Sequence, residues 1–147
     1  MKRVIFLSVI LLFIIGSCSQ QEVKYPLEGA WQLISGTYMT PDTVMNYPVS
    51  INGKNIKMVG EKHFTTIWQD TTIDKSNWWS AGFNGGTYTI VDGVYTETET
   101  HFSNLSRIGS KPSFKLEIKN DTAILTAILP PDTPSGYLNV EKWKRLE

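Results

Sequence analysis

The chain has 147 residues, 41% of them hydrophobic and 12% aromatic, and its 14 basic side chains balance 14 acidic ones. A near-neutral chain without a basic cluster gives no electrostatic case for nucleic acid, and this length suits one domain around one core. Its single cysteine excludes a disulfide within the chain.

Met1-Lys2-Arg3 is a short basic start, and residues 4–15 are almost continuously apolar. Such a run is short for a spanning helix and has the length of a signal-peptide core. It ends in Ile15-Gly16-Ser17-Cys18, an aliphatic residue, two small residues and cysteine. The pattern reads as a lipobox, with cleavage before Cys18 and a diacylglycerol on its thiol. Residues 1–17 are therefore expected to be a lipoprotein signal peptide, 18–26 the lipidated cysteine and its tether, and 27–147 the folded domain. Acyl chains contribute about 0.8 kcal/mol per buried CH₂, so two or three on Cys18 would hold the protein at a membrane. Ser19, where inner-membrane lipoproteins carry aspartate, points to the outer membrane. The expected location is the cell envelope.

From residue 30 onward Thr, Tyr, Trp, Val and Ile recur in short alternating runs broken by Gly, Asn, Asp and Pro, which is strand writing. Eight strands are predicted, at 30–38, 55–59, 62–68, 85–91, 94–102, 113–119, 122–129 and 138–146. Asp92-Gly93 is a strong two-residue hairpin signal, Asn120-Asp121 a weaker one, and Gly60-Glu61 closes a third turn. Wide connections at 39–54, 69–84, 103–112 and 130–137 hold the prolines that would not suit a strand interior. Tight and wide turns alternate, so an all-β, eight-stranded up-and-down antiparallel barrel is expected, with its wide loops at one end.

Side chains alternate along a strand. Pairing about Asp92-Gly93 puts Tyr88, Ile90, Tyr95, Glu97, Glu99 and His101 on one face and a row of threonines on the other. The aromatics belong inside, and the glutamates go with them because the period is two. Pairing about Asn120-Asp121 gives an apolar inner face of Phe114, Leu116, Ile118, Ala123, Leu125 and Ala127. About Gly60-Glu61, His63 falls in line with Met58 and Ile56 and is expected to point inward, with Lys57, Lys62, Phe64 and Trp68 opposite. An apolar wall would then face a polar one.

Gly29-Ala30-Trp31 opens the first strand, and Arg145 lies near the end of the last, on one face with Trp143. The pair resembles the lipocalin arrangement, in which the tryptophan closes the barrel base under a basic side chain. Lys62-His63-Phe64, Gly85-Gly86-Thr87-Tyr88-Thr89, Tyr95-Thr96-Glu97 and Trp143-Lys144-Arg145 are similar to bacterial lipocalin-like, calycin-type lipoproteins of unassigned function, over residues 27–146. The resemblance implies the barrel and makes His63, Tyr95 and Glu97 the matched positions that line its lumen.

Glu97, Glu99 and His101 offer metal ligands, but positions i, i+2 and i+4 spread over about 13 Å, so no metal site is assigned. Paired carboxylates are conceivable for hydrolysis, yet no nucleophile elbow, Walker loop or metalloprotease motif accompanies them. The sequence leans away from an enzyme and implies no cofactor. Small-molecule binding fits best, because an eight-stranded barrel has room for one ligand and a buried carboxylate demands a partner. Tyr88, Tyr95, Glu97, Glu99, His101 and His63 are the expected polar contacts and Phe114, Leu116 and Leu125 the apolar ones. Arg107 is a solvated loop residue that could pair with a carboxylate. Trp79, beside Trp78 in the wide loop, is expected over the open end. The alternative is an interaction subunit, its lumen filled by its own side chains, docking an envelope protein through that loop.

Overall fold

In the computed structural model, residues 27–47, 54–69, 81–130 and 138–146 can be described. Nine strands appear among them: β1 (Gly29–Thr40), β2 (Thr43–Tyr47), β3 (Lys54–Val59), β4 (His63–Gln69), β5 (Ala81–Val91), β6 (Val94–Phe102), β7 (Ser113–Lys119), β8 (Thr122–Ile128) and β9 (Leu138–Arg145). β1 and β3–β9 follow one another around a closed antiparallel wall, and β9 returns to β1. The domain is thus an all-β, eight-stranded, lipocalin-like barrel, closed so that its wall has no free edge. One 3₁₀ turn, Leu105–Arg107, interrupts the connection after β6.

β2 was not expected. It folds back on the far half of β1, Gly36 opposite Tyr47 through Thr40 opposite Thr43, while β3 pairs with the near half, Gly29–Gln32. Pro41-Asp42 makes the turn between β1 and β2, a proline placement that suits a reversal. β5 is also longer than expected, beginning at Ala81.

The hairpins follow their turn chemistry. Asp92 and Gly93 both take positive φ, 49° and 77°, as a type I′ turn requires. Two glycines of β5 are needed for close approach. A Cβ on Gly82 would lie 2.2 Å from the Trp68 ring, and one on Gly86 would lie 1.9 Å from the Thr98 carbonyl oxygen. The second crowding marks a β-bulge: Gly86 faces Glu99 but Gly85 faces His101, leaving Thr100 as the extra residue of β6. A second irregularity at Ile34 shifts the register of β1 against β9.

The core fills the end where the tight turns lie, with Leu27, Trp31, Val59, Phe64, Tyr88, Tyr95, Ala123, Leu125 and Trp143 buried. Arg145 stacks over Trp31 at 4.1 Å and donates to the Glu28 carbonyl. The Trp31 indole N–H donates to the Leu27 carbonyl at 2.8 Å. Base closure is therefore as expected.

Candidate functional site

Above this core the lumen opens into a cavity of about 900 Å³ toward the wide-loop end. That volume lies at the upper end of small-molecule sites. Its apolar lining includes Leu33, Trp68, Phe102 and Phe114, and its polar lining includes Lys57, Thr66, Asn84, Glu97, Glu99 and Glu141, with Arg107 and Lys111 also bordering it.

The expected inward turn of β6 is observed: Tyr95 is 0%, Glu97 3% and Glu99 2% exposed. Tyr95 packs between Tyr88 and Phe114, at centroid distances of 5.4 and 6.3 Å. Its hydroxyl donates to Glu97 Oε1 at 2.8 Å. Lys57 Nζ donates to the same oxygen at 2.8 Å. This ion pair is buried on both sides. The ammonium also lies 5.0–5.6 Å from the rings of Trp143, Tyr95 and Phe64, an aromatic cage that compensates a cation for lost water.

Burial alone would lower the Lys57 pKa, but the carboxylates of Glu97, Glu141 and Glu99 outweigh it and hold the value above that of an ordinary lysine. Burial first, and then the adjacent Glu97 carboxylate, push the Tyr95 phenol upward. Lys57 is charged and Tyr95 is a donor throughout the neutral range.

Glu99 has a different set of partners. Its Oε1 accepts from Asn84 Nδ2 at 2.9 Å. Its Oε2 accepts from Ser110 Oγ and, at 3.4 Å, from Arg107. Its backbone N–H donates to the Ser110 carbonyl and its carbonyl accepts from the Gly109 N–H. Glu99 thereby ties the connection after β6 to the barrel wall. Arg107, half exposed at the mouth, also lies over Phe102 at 5.4 Å.

Several expected site residues lie elsewhere. His101 is exposed, because the bulge at Thr100 inverts the alternation beyond Glu99; its Nδ1 meets Thr100 Oγ1 at 2.9 Å on the outer surface. His63 is also exposed. The co-facial set about Gly60-Glu61 is as expected, with Met58 opposite Thr65 and Ile56 opposite Ile67, but that set faces out, while Lys57, Val59, Phe64 and Thr66 face in. Tyr88 is buried, but its hydroxyl donates to the Gly60 carbonyl at 2.8 Å, toward the base. Leu125 is core, Leu116 packs against it, and Phe114 borders the cavity. Trp79 and Cys18 lie outside the described residues.

Two inward charged residues escaped sequence reading. Strand parity puts Lys57 on the face opposite His63, Met58 and Ile56, so an inward His63 implies an outward Lys57. Weighing Phe64 and Trp68 against Met58 and Ile67 would have reversed that choice. Glu141 shares the inner face of β9 with Trp143, whose indole N–H donates to it at 2.9 Å.

No known family model matches the chain, and no characterised protein matches it in sequence. The functional reading therefore rests on the site itself.

Proposed function

We propose that the protein binds a small, partly polar and partly apolar molecule in its barrel lumen. The observation that supports this is the cavity of about 900 Å³ with aromatic walls and buried charged groups. A barrel serving only as a scaffold gains by filling such space, since an empty core volume costs contacts on every side. Keeping Lys57 and Glu97 inside is also costly compared with apolar residues of similar size. Both features run against stability alone and fit a binding site. The open lumen also disfavours the interaction-subunit alternative, which needed a barrel filled by its own side chains.

A ligand that binds only the folded state raises stability by RT ln(1 + [L]/Kd). The low-mass fraction of a host envelope extract is therefore expected to raise the melting temperature by about 4 °C or more when ligand exceeds Kd a hundredfold. Ala127→Trp, which projects into the cavity, should abolish the rise. Equal behaviour of the two proteins in every fraction would contradict lumen binding.

We further infer that the domain is carried at the cell envelope, at the outer membrane, by lipid on Cys18, as in the lipocalin-like lipoproteins that it resembles. Support comes from the Ile15-Gly16-Ser17-Cys18 pattern behind a short apolar run. Cys18→Ser should lose both metabolic labelling by an alkynyl fatty acid and sedimentation with membranes. Retention of either would contradict anchoring at this residue.

A further inference from the structure

The charges that line the lumen balance in number, with Lys57, Arg107 and Lys111 against Glu97, Glu99 and Glu141, but not in pairing. Among the described residues that line it, Lys57 is the buried cation, and its ammonium is hydrogen-bonded to Glu97. Glu99 is met by Asn84, Ser110 and, from the mouth, Arg107. Glu141 is different. It accepts from Trp143 Nε1 at 2.9 Å and from Asn139 Nδ2 at 3.3 Å, both neutral. Its negative charge adds to the field that holds the Lys57 pKa up, but no described cation forms an ion pair with it. Lys111 also borders the cavity, but it is exposed to water.

A second observation comes from β4, three strands around the wall from β9. Thr66 is 7% exposed, and its hydroxyl is buried without a hydrogen-bond partner. It lines the same cavity, between its strand neighbours Lys57 and Asn84. An orphaned buried hydroxyl costs free energy that a single donor or acceptor would restore. Its neighbours do not supply one: Lys57 is committed to Glu97 and the Asn84 amide donates to Glu99. A carboxylate in no ion pair with a described cation and an unmet hydroxyl thus border one aromatic-walled space.

Resting on the lumen-binding reading above, we propose that the ligand is a cation on an apolar body, its ammonium held by Glu141 and a further polar group met by Thr66. Trp68, Phe102 and Phe114 receive the body. Glu97, one of the expected polar contacts, serves instead to keep Lys57 in place. Hydrogen bonds to an ionised partner are the strong ones, so head-group charge should dominate selectivity. An anionic head would meet the carboxylates of Glu141, Glu97 and Glu99 with a single buried ammonium, already engaged, to receive it.

The test uses three probes that differ only in the head: 4-phenylbutylamine, 4-phenylbutanol and 4-phenylbutyrate. Binding to the domain from residue 27 onward is followed by tryptophan fluorescence and titration calorimetry, in the wild type and in Glu141→Gln, with circular dichroism to verify folding. The amine should bind at least tenfold more tightly than the alcohol and the carboxylate more weakly than both. Glu141→Gln should reduce the amine-to-alcohol ratio to below threefold. Thr66→Val should lower affinity for 4-amino-1-phenylbutan-1-ol, which adds a hydroxyl, by threefold or more while leaving the fold intact. Equal affinity for the three probes, or preference for the carboxylate, overturns the cation assignment and leaves lumen binding standing. An amine preference that survives Glu141→Gln overturns the role of Glu141. Absence of binding by all three, together with no stabilisation by any host fraction, overturns both readings.

Discussion

The two ends of the barrel treat polar atoms in opposite ways. At the base, the polar tips of three residues are directed at backbone carbonyls: Trp31 to Leu27, Tyr88 to Gly60 and Arg145 to Glu28. These bonds fasten the chain to itself and leave little to offer a visitor. Toward the mouth, side chains bond to one another. Lys57 and Tyr95 share one oxygen of Glu97, and Asn84, Ser110 and Arg107 gather on Glu99. That network borders open space, and it leaves Glu141 and Thr66 incompletely answered. On the proposed reading, stability is concentrated where backbone carbonyls satisfy the polar atoms, and recognition where side chains must satisfy one another.

The sharpest way to break this division is Trp31→Ala. It removes a fully buried indole, the stack with Arg145 and the bond to Leu27, so a loss of about 4 kcal/mol is expected in urea unfolding. Probe selectivity should be unchanged wherever the variant remains folded. A loss below about 1 kcal/mol would show that the base does not anchor the fold.

Next in size is Lys57→Met. Removing one member of a buried pair leaves the other charge unpaired, at a cost of about 3 kcal/mol, the lower end of the usual range because Glu97 borders a wettable cavity. The double variant Lys57→Met with Glu97→Leu should recover at least half of that loss. Additive losses in the double-mutant cycle would show that the pair is not coupled.

The same pair predicts a response to alkali. The folded-state values of Lys57 and Tyr95 are both raised above their ordinary 10.5 and 10.0. A raised value favours the protonated group in the folded state. The resulting stabilisation is complete below the ordinary value and is lost as pH climbs through the folded one. Stability should therefore be level with respect to these groups below about pH 9.5 and decline above pH 10, less steeply in Lys57→Met. Identical alkaline slopes in the two proteins would contradict the buried, charged state of Lys57.

The smallest effect is a gain. Thr66→Val replaces an unpartnered buried hydroxyl with a methyl of the same shape, and the ligand-free protein should become about 1 kcal/mol more stable. A loss of stability would mean that the hydroxyl is satisfied within the fold.

Fold and site were not equally legible in the sequence. Hairpin chemistry at Asp92-Gly93 and the Trp31–Arg145 pair gave the closed barrel, and a period of two carried Glu97 and Glu99 inward. That period failed where the backbone broke it. One extra residue at Thr100 turned His101 outward, and the bulge is written only in the crowding of Gly86 against Thr98. On β3 and β4 the period was right but the face was not. Met58 and Ile67 are apolar enough to pass for core, so the outward pair masked an inward lysine. β2 was missed because only the five residues Thr43–Tyr47 lie between Pro41-Asp42 and Pro48, and so short a run between prolines resembles a loop when its partner is unknown.

Native mass spectrometry of the protein purified from its own host tests the lumen site most directly. The expected spectrum shows, beyond the chain and the lipid proposed on Cys18, an added mass below about 1 kDa that leaves on denaturation and is missing from Ala127→Trp. A host-purified protein carrying no such mass, and showing the same spectrum in both forms, would contradict a ligand in the barrel.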